Sequence, residues 1–334
     1  MDLQKPINIE AVNNTRVQYE NVLKGLNMMD VMSILNECMP RLGVQSSLVL
    51  GKTEHGSISK KYTGTFTGDK AIGTIVPRTL TVYPVVAEMA DEPERYRRSF
   101  VADLAGGLWP NKESHPFALW LLQYGISLAA EELFYALFSA ARSESAEKLA
   151  VSDSFDGWFT ILDADIVAER IAAAKGNYYA PGEAITRANA GDYLIEMWRT
   201  SHTSLRNRKT NMVISLDVAD LYDDWYRDEH DNPPFVDQAG QMFLEGSNGQ
   251  CKLIRTAAVP AGSQRVIMTS RENMVYGTDK LGDMKNMQAF NSGNPYLFTA
   301  AMKYIFGTQF VSVHERELRI NDRPGAGGSG SASS

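Results

Sequence analysis

The stretch from His115 to Arg142, HPFALWLLQYGISLAAEELFYALFSAAR, constrains the fold more than any other. It has no proline after Pro116 and is rich in Leu and Ala, which lose little side-chain freedom in a helix. Leu119, Leu122, Ile126, Ala129, Leu133, Ala136 and Ala140 recur at three-and-four spacing and make one apolar face. Phe117, Trp120, Leu121, Tyr124, Leu128, Phe134 and Phe138 make a second. A narrow polar stripe remains: Gln123, Ser127, Glu131 and Ser139. A helix this apolar around its girth is buried on most sides. Ser114 is placed to cap it, and Pro116 falls in its first turn. The stripe is expected to be the edge that meets solvent.

What precedes this helix is poorly equipped to stand alone. Residues 1–50 read as an arm: a polar start, then helical spacing at Val22, Leu26, Met29, Met32 and Leu35, closed by Pro40 and Gly43. So short an amphipathic stretch needs a partner surface. From Gly51 to Pro84, Gly and Thr accumulate and β-branched residues alternate with polar ones. Tyr62, Gly64 and Phe66, then Thr79, Thr81 and Tyr83, read as the arms of a long hairpin with its tip near Gly68-Asp69-Lys70. A two-stranded ribbon with so few large apolar residues is not stable by itself in water. A shorter helix is expected over Asp91–Leu104, ended by Gly106-Gly107.

After a break at Ser143–Ser154, FDGWFTILDADIVAERIAAAK predicts a helix through Ile166, Ile171 and Ala174, and Thr186–Leu205 predicts another. Met212–Ile214 reads as a strand feeding a helix over Asp217–Tyr226. QCKLIRTAAV, QRVIMTS and ENMVYGTD read as paired short strands of an antiparallel or mixed sheet. LFTAAMKYIFG reads as a short helix and TQFVSVHE as a strand, with Phe310, Val313 and Leu318 returning the chain to a sheet. The end, residues 323–334, is a flexible Gly/Ser tail that takes no part in the fold.

Chemical signatures are weak throughout. The tail's GAGGSG matches a dinucleotide fingerprint in letters, but no helix follows to meet a pyrophosphate. The run Asp223, Asp224, Asp228, Glu229, His230, Asp231 lacks the glycine turn of a calcium loop and reads as a solvated helix end. His55, His115, His202, His230 and His314 show no metal-ligand spacing, and Cys38 and Cys251 read as separate reduced thiols. No catalytic, cofactor-binding or metal residues are assigned, no cofactor is expected, and the chain reads as a non-enzyme. A net charge of -7 argues against a whole-chain nucleic-acid footprint. The basic groups Arg95, Arg97, Arg98 and Arg199, Arg206, Arg208, Lys209 are read as interface salt-bridge partners. No apolar run approaches the roughly 20 residues that span a bilayer, and the polar N-terminus shows no signal core.

The order of parts resembles the major capsid proteins of tailed bacteriophages, the Hong Kong 97-type fold. ISLDVADLYDDW is similar to that family's strand-then-helix segment of the axial domain. EGSNGQCKLIRTAAVPAGSQRVIMTSRENMVYGTD resembles the paired strands that lead back to the peripheral domain, and FDGWFTIL resembles the segment after the spine helix. The resemblance implies an α+β fold with an N-terminal arm (1–50), an extended loop (51–84), a peripheral domain (85–154 and 291–322) holding the spine helix 115–142, and an axial domain (155–290). It further implies a structural protein forming pentamers and hexamers of an icosahedral shell around double-stranded DNA, located in the virion and assembled in the host cytoplasm. Its partners would be copies of itself, a scaffolding protein, a portal and a decoration protein, with no membrane. An encapsulin-type shell subunit and an unrecognised cytosolic α+β enzyme are the alternatives. One relative cross-links a loop lysine to a peripheral asparagine; Lys60, Lys61 and Lys70 lie on the loop here and Asn291 and Asn294 lie later, but the sequence does not match them to that pair and no cross-link is assigned.

Overall fold

In the computed structural model, which describes residues 29–55, 59, 61, 73–96, 117–145, 147, 149–234, 236–237, 240–290, 294 and 296–323, a helix α1 (Met29–Leu35) leads into strand β1 (Met39–Arg41). The earlier part of the expected arm lies outside the described residues. Val31, Ile34, Leu35 and Cys38, at three-and-four spacing, are the buried face. Pro40 does not close a helix but sits in β1 at a sheet edge, where a missing N–H is tolerated.

Strands β2 (Ser47–His55) and β3 (Gly73–Thr81) form an antiparallel hairpin, registered from Ser47↔Thr81 to His55↔Gly73, so Thr79 and Thr81 pair with Val49 and Ser47 and not with the arm expected at Tyr62, Gly64 and Phe66. It begins at Ser47 rather than Gly51. Tyr62, Gly64, Phe66 and the tip at Gly68-Asp69-Lys70 lie outside the described residues. Tyr83 opens the next strand, β4 (Tyr83–Asp91), instead of closing the hairpin. Asp91 therefore ends a strand, and a 3-10 turn, Pro93–Tyr96, follows it; positions 97–104 of the expected helix lie outside the described residues. Positions 97–116, with Gly106-Gly107, Ser114 and Pro116, lie outside the described residues.

The long helix, α2, spans Phe117–Ser139. Beyond it the amides of Ala141 and Ser143 turn to the carbonyls of Ser152 and Asp153, so the chain leaves the helix before Arg142. The polar stripe is only partly where it was expected. Glu131 and Ser139 are exposed and Ser127 is half-buried, but Gln123 is 5% exposed. The outward row is Tyr124, Leu128, Glu131, Glu132, Tyr135 and Ser139. The helix is rotated by about one residue: Gln123 is turned inward with Leu122 and Ile126, and Tyr124 is turned outward.

Helix α3 (Trp158–Val167) packs on α2 so closely that a Cβ on its N-cap, Gly157, would lie 2.6 Å from the Phe138 carbonyl oxygen. It ends before Ile171, which is buried beyond it. Strand β5 (Tyr178–Tyr179) follows, then two helices where one was expected: α4 (Ala190–Arg199) and α5 (Thr203–Arg206). The Thr200 hydroxyl donates back to the Glu196 carbonyl, and His202 Nδ1 accepts the Ser204 amide and starts the new turn. Strand β6 (Thr210–Ile214) leads into α6 (Leu216–His230), capped by the Ser215 hydroxyl on the Val218 amide. The remaining strands are β7 (Met242–Phe243), β8 (Cys251–Arg255), β9 (Ile267–Thr269), β10 (Met274–Gly277), β11 (Gln288–Phe290), β12 (Phe298–Phe310) and β13 (Leu318–Asn321).

β12 replaces the helix expected at LFTAAMKYIFG. Ala300, Met302, Tyr304 and Phe306 are buried while Ala301, Lys303 and Ile305 are not, a period of two. Nine of its residues pair with β4, from Phe298↔Asp91 to Phe306↔Tyr83. It also pairs with β10 and β11, and β1 extends the sheet beyond β10. The other large sheet has the order β5-β13-β9-β6-β8-β7. The strands expected to pair directly, β8 and β9, are separated by β6, parallel to β8 and antiparallel to β9. This sheet divides two cores. Met212, Ile214, Leu253 and Met268 face α4 and α6, with Tyr222, Trp198 and Leu194. Val213, Ile254 and Ile267 face the core built by α1, α2, α3 and β12.

Candidate assembly interface

The hairpin has two unlike faces. Leu50 and Leu80 point inward and close a small cluster with Val44, Val82 and Val275. Val49, 65% exposed, and Ile75, 64% exposed, lie on the opposite face. Exposed β-branched residues on a ribbon form an apolar surface of the kind that marks interaction sites. The root is held by close approach: a Cβ on Gly307 would lie 2.2 Å from the Thr81 carbonyl oxygen, so only glycine fits there.

A second surface lies between β4 and α2, an open groove of about 1140 Å³. Val86, Tyr124, Leu128, Tyr135 and Leu149 line it, with Glu88, Asp91 and Glu132 at its margin. All five apolar side chains are exposed, Leu149 by 87%. Tyr96 donates a 2.5 Å hydrogen bond to Asp91; that bond holds the Asp91 carboxyl below its usual range and pushes the Tyr96 hydroxyl up. The outward row of α2 is thus part of an acidic-edged apolar groove.

Residues singled out for possible chemistry have structural partners. His230 packs against the Tyr226 ring at 4.4 Å, and His314 Nδ1 accepts the Arg316 amide at 3.2 Å. His115 lies outside the described residues. Asp224 and Asp228 pair with Arg187, and Asp223 lies 3.8 Å from Arg255. Burial pushes the Asp223 carboxyl up. Among the described residues no group of three or more His, Cys, Asp or Glu is placed to hold a metal ion. Cys38 and Cys251 are fully buried in different cores, and burial pushes the Cys251 thiol up to about 12 and raises Cys38 as well. Neither is a poised nucleophile. No described helix is long and apolar enough to cross a membrane.

Arg95, Arg206 and Arg208 are engaged within the chain, Arg206 by donating to the Arg199 carbonyl. Arg95 pairs with Asp91 and Glu92, and Arg208 pairs with Glu317 at 2.5 Å. Arg97 and Arg98 lie outside the described residues, as do Lys60, Lys70 and Asn291; Lys61 and Asn294 are exposed. Sequence reasoning missed the carboxylates that matter most here, Asp165 and Glu317. Asp165 carried a signal: it follows Trp158 and Leu162 at helical spacing on the apolar face of α3, and a carboxylate there needs a buried partner. Arg78 supplies it.

No family model matches the sequence, and no curated protein matches it. Solved structures do match the fold. The chain is similar to the capsid of an empty GTA particle at a TM-score of 0.52 and 11% identity, over 88% of this chain and 96% of that one. It is similar to the capsid of the Myoviridae phage XM1 at 0.51 and 10%, over 86% and 90%. A third likeness, to the cyanophage A-1(L) capsid, has a TM-score of 0.51 and 11% identity, over 87% and 91%. The fold is that of a phage capsid protein. Within that capsid fold the hairpin face around Val49 and Ile75 and the groove between β4 and α2 are exposed apolar surfaces.

Proposed function

We propose that this chain is the major capsid protein of a tailed phage or prophage, assembling into pentamers and hexamers of an icosahedral shell around double-stranded DNA. The observation that carries this reading is the coverage of the likeness: 88% of this chain lies on 96% of a capsid subunit, so the agreement is with the whole plan and not with one module. The two exposed surfaces support it. The apolar outer face of the hairpin, around Val49 and Ile75, and the apolar lining of the groove are surfaces suited to contact with another copy. Under this reading residues 1–50 are an arm, 51–84 an extended loop, 85–154 with 291–322 a peripheral domain, 155–290 an axial domain and 323–334 a tail. A scaffolding protein, a portal and a decoration protein are the partners, the virion is the final location, and assembly takes place in the host cytoplasm. The role is structural and not enzymatic.

Purified protein examined by negative-stain microscopy and sedimentation is expected to form shells, rings or capsomer-sized oligomers. A strict monomer under all conditions, including with a scaffolding partner, would refute the reading. Shells that enclose a cargo enzyme instead of DNA would assign the chain to encapsulin-type compartments.

A further inference from the structure

Each strand of the hairpin is tied to the body by one cation, and each cation shares its carboxylate with an arginine of the body. On β2, Lys52 lies 2.7 Å from Glu317, which also binds Arg208 at 2.5 Å. On β3, Arg78 lies 2.7 Å from Asp165, which also binds Arg170 at 2.5 Å. The register places Lys52 opposite Val76 and Leu50 opposite Arg78, so both cations project from the inner face of the ribbon, two residues apart along it. Arg78 adds hydrogen bonds to the Phe310 carbonyl at 3.0 Å and to Gln309 at 2.8 Å. Apolar anchorage stops at this level: Leu50 and Leu80 are buried, while Val49, Ile75 and Val76 are exposed.

Sharing changes what release of the hairpin requires. A buried carboxylate that loses its single partner is left as an uncompensated charge, which is strongly unfavourable. Here Asp165 keeps Arg170 and Glu317 keeps Arg208 when the hairpin cations leave. Lys52 and Arg78 then reach water on long stems. We infer that the two shared carboxylates form a releasable latch that lets the hairpin pivot about its root without leaving a bare buried charge. The body arginines are the positioning residues of this device: they make letting go inexpensive. The inference concerns a single subunit and stands whether or not the chain forms shells.

The test uses the full-length chain as dilute subunits, with Ile75→Cys and Leu216→Cys carrying spin labels; both sites are exposed, and Cys38 and Cys251 are fully buried. The parent is expected to give one narrow distance distribution between hairpin and body. K52M combined with R78M is expected to broaden or shift it. R170M combined with R208M is expected to leave it unchanged or narrower, because each carboxylate then depends on the hairpin cation. Broadening by R170M/R208M as large as that by K52M/R78M, or no change in K52M/R78M, overturns the latch. Thermal midpoints of every variant separate release from unfolding. Should a double variant fail to fold, K52M and R170M alone carry the test, since both side chains are partly exposed.

Discussion

Glu317 is 8% exposed at the turn before β13, between Arg208 and Lys52. Burial alone would raise its carboxyl; the hydrogen bonds and charges of Arg208 and Lys52 outweigh burial and hold it below the ordinary glutamate range. The sign of the pH dependence follows. A carboxyl with a lowered folded-state pKa contributes stability that is fully present above the unfolded value of about 4.3 and is lost as pH falls through the folded value. Denaturant midpoints measured from neutral pH down through the carboxylate range are expected to fall for the parent. E317Q is expected to be less stable at neutral pH by about 2 kcal/mol, since Arg208 loses its charged partner. The gap between parent and variant should close as the pH drops below the carboxylate range. A gap that stays constant with pH would mean that Glu317 contributes by shape and not by charge.

At the scale of elements, the outward row of α2 places Tyr124, Leu128 and Tyr135 on the surface of a subunit that has ample core for its size. L128E with Y135E is expected to leave the subunit's unfolding free energy within about 0.5 kcal/mol, as surface changes do. The same variant is expected to stop oligomer formation, read by sedimentation; shells formed as readily as by the parent would remove the groove from the interface. The helix itself was legible because apolar residues surround it, and the hairpin because β-branched and polar residues alternate along it. The phase of α2 was not: Gln123 and Tyr124 are adjacent, both amphipathic, and only packing against the rest of the core decides which is turned inward. β12 was misread for a different reason. Ala, Met and Lys suggest helix by propensity, whereas Ala300, Met302, Tyr304 and Phe306 alternate as a strand does. The period outweighs the propensity once β4 supplies nine pairing residues. The carboxylate partnerships of Asp165 and Glu317 join residues 87 and 109 positions apart in the chain, a distance over which local pattern carries no information.

For the whole molecule, one sheet serves two cores. Val213 faces one and its neighbours Met212 and Ile214 face the other, so the two halves of the subunit share β6 as a common wall. Helices, strands and ion pairs then knit the body together while the hairpin projects from it. Charge is distributed in the same spirit. Arg208 and Arg265 each pair with a carboxylate of the same chain, which leaves them little reach toward an external phosphate. The sequence as a whole carries a net charge of -7. In the proposed shell, a wall of such subunits should contain DNA without gripping it. Phosphate affinity grows with each Lys or Arg contact, and log K falls with log salt at a slope near -0.9 per contact for about Z neutralised phosphates. Titration of labelled double-stranded DNA with subunits or empty shells is expected to give no saturation at physiological salt. At low salt the slope should correspond to about two contacts or fewer. A slope equivalent to about six contacts or more would require a basic face on the subunit, and the inner surface would then be a DNA-binding wall instead of a passive one.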